Sequence, residues 1–149
     1  MKDLDWSKLS FGYRQTDYNV RCYYRNGKWG EIEVCSDEYL KLHMAATCLH
    51  YGQEAFEGLK AYRCPDGKVR VFRMDENAAR LQSTCRGILM PEVPTEMFEE
   101  MVKKVVRLNQ EWIPTYESGA TLYIRPLLIG TSAQVGVHPA SEYCFLIFV

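Results

Sequence analysis

The sequence predicts an α+β domain, a mainly antiparallel sheet with two helices packed on it. Three observations carry that reading. Strand-like runs separated by turn dipeptides fill the first half of the chain, two stretches of helical periodicity follow, and apolar strand runs return in the last third. Over 149 residues, 47% apolar and 25% charged residues are ordinary globular proportions, which excludes disordered and fibrous classes. A chain of this length has room for one domain with a real core.

Residues 1–17 mix polar and aromatic side chains without a period and read as an N-terminal arm; residues 18–149 read as the domain. Residues 18–25 suit a strand. Asn26-Gly27 suits a tight hairpin turn because both residues tolerate positive φ, and Trp29 to Val34 is the expected returning strand. A second hairpin is expected around Pro65-Asp66-Gly67, entered through Ala61-Tyr62-Arg63 and left through Val69 to Phe72. Asp75 is placed to cap a helix whose apolar residues Ala78, Leu81, Cys85 and Ile88 recur at helical spacing, and Pro91 and Pro94 stop it. Thr95 is placed to cap the second helix, with Phe98, Met101, Val102, Val105 and Leu108 on one stripe. Thr121 to Gly130 and Tyr143 to Val149 are the closing strands. The unbroken apolar run Cys144 to Val149 predicts a strand buried on both faces. A chain that stops inside such a strand is expected to be part of a longer protein.

Lys and Arg number 18 and Asp and Glu 19, a net charge of −1. That balance gives no general attraction to nucleic acid or to anionic lipid. No apolar run approaches the roughly 20 residues of a membrane span. The first residues carry acids and lack the apolar stretch of a secretion signal, so a cytoplasmic location is expected. The cysteines at 22, 35, 48, 64, 85 and 144 form no C-x-x-C pair, and His43, His50 and His138 stand at no metal-ligand spacing. The thiols are expected to be reduced and to pack as small apolar groups, with no metal site.

Three stretches carry chemistry. His50 to Gly58 sets aromatics beside glycines, which suits a pocket wall as well as a core. Arg80 lies off the apolar stripe of its helix and reads either as a surface arginine or as an anion clamp, since a guanidinium grips phosphate through two parallel hydrogen bonds. In Thr121 to Gly130, period two puts Tyr123, Arg125, Leu127 and Ile129 on one face. A charge on that face needs a partner or a wet cavity. Pro126 cannot donate to a ladder, which predicts an edge or a bulge there.

Together these stretches resemble the branched-chain amino acid aminotransferases, of pyridoxal phosphate fold type IV. His50-Tyr51-Gly52-Gln53-Glu54-Ala55-Phe56-Glu57-Gly58-Leu59-Lys60-Ala61 is similar to that family's "HY-x-x-x-x-FEG-x-KA" stretch. Asn77-Ala78-Ala79-Arg80-Leu81 sits where the family has its phosphate-binding arginine. Leu122-Tyr123-Ile124-Arg125-Pro126, with Gly130 and Gly136-Val137, resembles its "YVRP…G…GV" stretch, and Phe11-Gly12 matches near the start.

The resemblance implies the smaller, N-terminal domain of a transaminase that moves an amino group between leucine, isoleucine or valine and 2-oxoglutarate, in branched-chain amino acid biosynthesis. It implies pyridoxal phosphate as cofactor, with Arg80 on its phosphate. Phe11, Phe56 and Tyr123 would line an apolar side-chain pocket, and Arg125, with Tyr123, would meet the distal carboxylate of glutamate. Tyr51, Val135 and Val137 would reach the pocket of the neighbouring subunit, which implies a homodimer. Family members run to well over twice this length, and their Schiff-base lysine lies in a second domain, so no catalytic residue is expected in this chain. Two other readings stay open. One is another fold-type-IV enzyme, a D-amino acid transaminase or an aminodeoxychorismate lyase. The other is a non-catalytic binding or dimerisation module.

Overall fold

In a computed structural model that describes residue 2 and residues 4–149, strands and helices alternate around one antiparallel sheet. In chain order the elements are β1 (Asn19–Arg25), β2 (Lys28–Trp29), β3 (Glu33–Cys35), α1 (Thr47–Tyr51), β4 (Glu54–Phe56), β5 (Leu59–Arg63), β6 (Val69–Val71), α2 (Met74–Gly87), α3 (Thr95–Leu108), β7 (Leu122–Gly130) and β8 (Tyr143–Phe148). The sheet order is β2-β1-β8-β7-β5-β6, with β3 also on β1 and β4 also on β7. The expected α+β architecture is present, with the short helix α1 in addition to the two expected helices.

The first hairpin turns at Asn26 and Gly27, with φ of 52° and 77°, the positive pair that matches the twist of its strands. The returning strand expected over Trp29 to Val34 is broken in two. The Gly30 amide still reaches the Tyr23 carbonyl at 2.9 Å, but the pairing resumes one residue out of step, so Glu31 and Ile32 together oppose Cys22 in a bulge.

Both helices are found, and both begin differently from the expectation. Asp75 is not the cap of α2. Arg73 holds that place at φ 46°, and Asp75 and Glu76 sit in the first turn beside its guanidinium, where carboxylates complement the helix dipole. Thr95 is the first residue of α3 rather than its cap, and its hydroxyl accepts a hydrogen bond from Gln82 at 3.2 Å. Ile88 lies past the end of α2 and is exposed. The chain leaves the helix through Leu89 at φ 57°, and the Met90 amide reaches back to the Cys85 carbonyl at 2.9 Å, which buries Met90 in its place.

Helices α2 and α3 cover one face of the sheet. Phe98, Met101, Val102 and Val105 of α3 meet Phe145, Ile147, Ile124 and Val20, all fully buried. Leu108 is only partly buried, and Val106 joins the core instead. The other face carries a smaller cluster around Ile129, Cys144 and Leu146, covered by Leu40 and Leu42. Strand β8 is thus buried on both faces, as its apolar run predicted. All six cysteines are free thiols, and Cys22, Cys85 and Cys144 are core residues.

Strand β7 is not at an edge and carries no bulge opposite β8. It pairs with β8 from Arg125 to Gly130 and with β4 and β5 on its other side. Those two strands face β7 in one continuous register, interrupted only at Glu57-Gly58. The Glu57 amide donates to the Pro126 carbonyl at 2.9 Å, and Pro126 has no N–H to return. The proline is accommodated by breaking the neighbouring strand, not by standing at the rim.

The arm lies against the end of α3. Buried Asn109 accepts hydrogen bonds from the amides of Asp17 and Tyr18, both at 3.1 Å, and donates to the carbonyls of Tyr18 and Val105, both at 2.9 Å. Every polar atom of this amide is therefore satisfied.

Candidate functional site

Alternation along β7 turns Leu122, Ile124 and Leu128 into the helix-covered core and leaves Tyr123 and Arg125 half-open on the opposite face. The Arg125 guanidinium lies 4.3 Å over the Phe56 ring and 5.3 Å from the Tyr123 ring, and its Nε donates to the Tyr123 hydroxyl at 3.1 Å. Phe11 meets the Tyr123 ring edge-on with centroids 5.0 Å apart. Gly58 stands opposite Arg125, and a Cβ there would come within 2.8 Å of the Tyr123 hydroxyl, so the phenol occupies space that only a glycine leaves. Phe11, Tyr123 and Arg125 border a cavity of about 540 Å³ between the arm and the sheet. Phe56 flanks Arg125 from outside it and is 61% exposed. Among the described residues no carboxylate forms an ion pair with Arg125, so its charge meets aromatic faces and open space.

Tyr51, Val135 and Val137 form a separate group. The Tyr51 hydroxyl donates to the Val135 carbonyl, and Ala46 and Ala133 pair as an isolated bridge, so α1 holds the loop after β7. Val135 and Val137 are each 86% exposed and border no part of the 540 Å³ cavity.

Arg80 stands apart from both groups. Phe56 faces the open side of the sheet, so the next residue, Glu57, faces the helices. Its carboxylate is 4% exposed and accepts Arg80 Nε at 2.9 Å, Arg80 Nη2 at 2.6 Å and Asn77 Nδ2 at 2.8 Å. The hydrogen bonds to Glu57, and then its charge, push the Arg80 pKa further up. The Arg80 side chain is nevertheless 68% exposed. Among the described residues Nη1 and the outer N–H of Nη2 have no acceptor, which leaves one flat edge of the fork open to an oxyanion. The donor chemistry fits a phosphate.

Glu57 and Asn77 were not singled out from the sequence. Their signal is visible in retrospect. Asn77 lies three residues before Arg80 on the same side of α2, and Glu57 continues the buried phase of Ala55, two residues before it, at the break between β4 and β5. Among the described residues no group of three or more His, Cys, Asp or Glu could hold a metal, and no helix is long and apolar enough to cross a membrane.

No family model matches the chain. It is 51% identical over 148 residues to the branched-chain-amino-acid aminotransferase of Haemophilus influenzae, covering 99% of this chain and 43% of that protein. It is 47% identical over 148 residues to the enzyme of the same name from Helicobacter pylori, covering 99% and 44%. The chain thus spans about two-fifths of the length of these curated relatives. A crystal structure of the Escherichia coli branched-chain amino acid aminotransferase superposes with a TM-score of 0.68 at 26% identity, covering 89% of this chain and 39% of that one. Sequence along the whole chain and the curled antiparallel sheet with its helices agree: the chain is similar in sequence to branched-chain aminotransferases over two-fifths of their length and matches the fold of their small domain.

Proposed function

We propose that the complete protein is a transaminase that moves an amino group between leucine, isoleucine or valine and 2-oxoglutarate, and that this chain supplies its side-chain pocket and a phosphate contact. Residues 1–17 act as an arm on the small domain formed by residues 18–149. The observation that carries this reading is Arg125, a cation with no carboxylate partner among the described residues, held between Phe56 and Tyr123 beside an apolar cavity. Branched apolar side chains would pack on the rings of Phe11, Phe56 and Tyr123. The distal carboxylate of glutamate would meet the open N–H groups of Arg125. One pocket then serves an apolar and an acidic partner by different contacts.

Arg80 would hold the phosphate of pyridoxal phosphate through its open edge. When bound, that cofactor supplies the electron sink that amino-group transfer needs. Tyr51, Val135 and Val137 would meet the pocket of a second copy in a homodimer. This chain binds and orients; no lysine in it stands in the context of the family's reacting lysine.

The test is Arg125→Met in the complete protein. Among the described residues no carboxylate pairs with this arginine, so the melting temperature should stay within a few degrees of the parent. The ratio of kcat/KM for leucine over glutamate should rise by tenfold or more, because only glutamate loses a charged contact. Equal losses for both substrates with a large fall in melting temperature would make Arg125 structural. Turnover of D-alanine in preference to L-leucine by the parent would move the protein to another member of the fold type.

A further inference from the structure

We propose that Glu57 is a positioning residue that aims Arg80 at the cofactor phosphate, a proposal that rests on reading Arg80 as the phosphate contact. A guanidinium has two edges that can bind an oxyanion through parallel N–H groups, one formed by Nε and an Nη, the other by the two Nη atoms. Glu57 takes the first edge with both carboxylate oxygens, at 2.9 and 2.6 Å. The second edge has no acceptor among the described residues, and the side chain is mostly exposed. A side chain as exposed as Arg80 has many rotamers open to it, and the fixed point behind it selects one.

That fixed point is itself held from three directions. The Glu57 amide is on Pro126 at 2.9 Å, its carboxylate takes Asn77 Nδ2 at 2.8 Å, and burial leaves the acid nowhere else to turn. The ladder break opposite Pro126 falls at this residue, at the point where β4 gives way to β5. A buried ion pair is a weak source of net stability, so stability alone gives little reason to bury this acid. Positioning also has a cost, because a carboxylate beside the arginine opposes an incoming anion. The two roles therefore predict opposite signs. If Glu57 only balances charge, removing its charge strengthens phosphate binding; if it positions Arg80, removing it weakens phosphate binding.

The measurement is the affinity ratio of pyridoxal phosphate to pyridoxal in the complete protein, which isolates the phosphate contact from the ring. Arg80→Ala should lower the ratio by tenfold or more. Glu57→Gln keeps size and one acceptor but loses the bidentate grip, and should lower it by about fivefold. Asn77→Ala, at a half-buried position, should lower it by about twofold and decides the matter if Glu57→Gln does not fold. Neither change should lower the ratio further in the Arg80→Ala background, since both act through the arginine. A ratio unchanged by Arg80→Ala would refute the underlying reading and this proposal with it. A ratio that falls with Arg80→Ala but holds or rises with Glu57→Gln and Asn77→Ala would overturn the role of Glu57 alone.

Discussion

The two faces of β7 come from alternate residues of one nine-residue strand, and they differ in what they meet. Ile124 and Leu128 on one face are fully buried against a core that includes Phe98, Met101, Val102 and Val105. Tyr123 and Arg125 on the other are half-open, held by rings, one hydrogen bond and a cavity. On the first face area removed from water sets the stability. At Tyr123 and Arg125 on the second little area is buried, although Ile129 farther along joins the smaller buried cluster, and the geometry of a few polar and aromatic groups matters more. A strand with α2 and α3 on one side only can carry both roles because its period is two. Substitutions on the helix face should cost stability, and those on the open face should cost selectivity.

The largest effect should come from Phe98, fully buried and stacked on Phe145 with centroids 6.0 Å apart. Phe98→Ala should cost about 3–5 kcal/mol by denaturant unfolding, from lost burial plus the cavity left behind. Phe56→Ala, the same change on the open face, should cost under about 1 kcal/mol. Similar costs at both positions would break the division between the faces.

The alkaline limb of stability comes next, and it tests how dry each face is. Burial pushes the thiol of Cys85, on the helix face, up to about 11 and that of Cys144, on the other, up to about 12. An unfolded thiol ionises near 8.5 to 9, so above that pH the unfolded chain binds fewer protons than the folded one. Stability should be flat with respect to these groups below pH 9. It should then fall by up to about 1.4 kcal/mol per pH unit for each thiol until its folded pKa is reached. Cys144→Ala should remove one thiol's share of that slope. A slope unchanged by Cys144→Ala would mean that its face is wetter than the packing indicates.

A smaller effect is expected at Gly58. Gly58→Ala should cost about 1–3 kcal/mol, because the new Cβ meets the Tyr123 hydroxyl at 2.8 Å. Less than half of that cost should remain in a Tyr123→Phe background, where the closest atom is gone. Full cost in both backgrounds would place the strain in the backbone and not against the phenol.

The smallest is at the rim. Arg70 grips Asp66 through two hydrogen bonds, at 2.9 and 2.7 Å, and pulls the Asp66 pKa down to about 2. Both groups are in solvent, so Arg70→Ala should leave the melting temperature within measurement error while the Asp66 pKa, followed by NMR, returns toward its ordinary value.

Much of the fold was legible because its signals are local. The Asn26-Gly27 turn, the apolar stripe of α3 and the buried run of β8 each declare themselves within a few residues. The misplaced helix starts show where local reading stops. Asp75 and Thr95 have the chemistry of caps, but Arg73 at positive φ begins one helix and Pro94 precedes the other. A hydroxyl or a carboxylate satisfies a cap, an ion pair or a neighbouring side chain equally well, and the surrounding chain chooses. Pro126 is the same lesson at longer range. Its missing N–H did require a break in a ladder, but the break fell on the partner strand.

The sequence by itself determined which residues could alternate, turn and pair, because backbone preference and hydrophobic period depend on neighbours in the chain. Through its resemblance to the branched-chain aminotransferases it also named Phe11, Phe56, Tyr123, Arg125 and Arg80 as candidates, and Tyr51 with Val135 and Val137. Only the tertiary structure divided them into an aromatic and cationic cavity wall, an outward pair of valines, and an arginine fixed to a buried acid 23 residues away. Glu57 meets Arg80 because a strand and a helix pack together, and contacts of that kind are set by the global arrangement rather than by any pattern within a single segment.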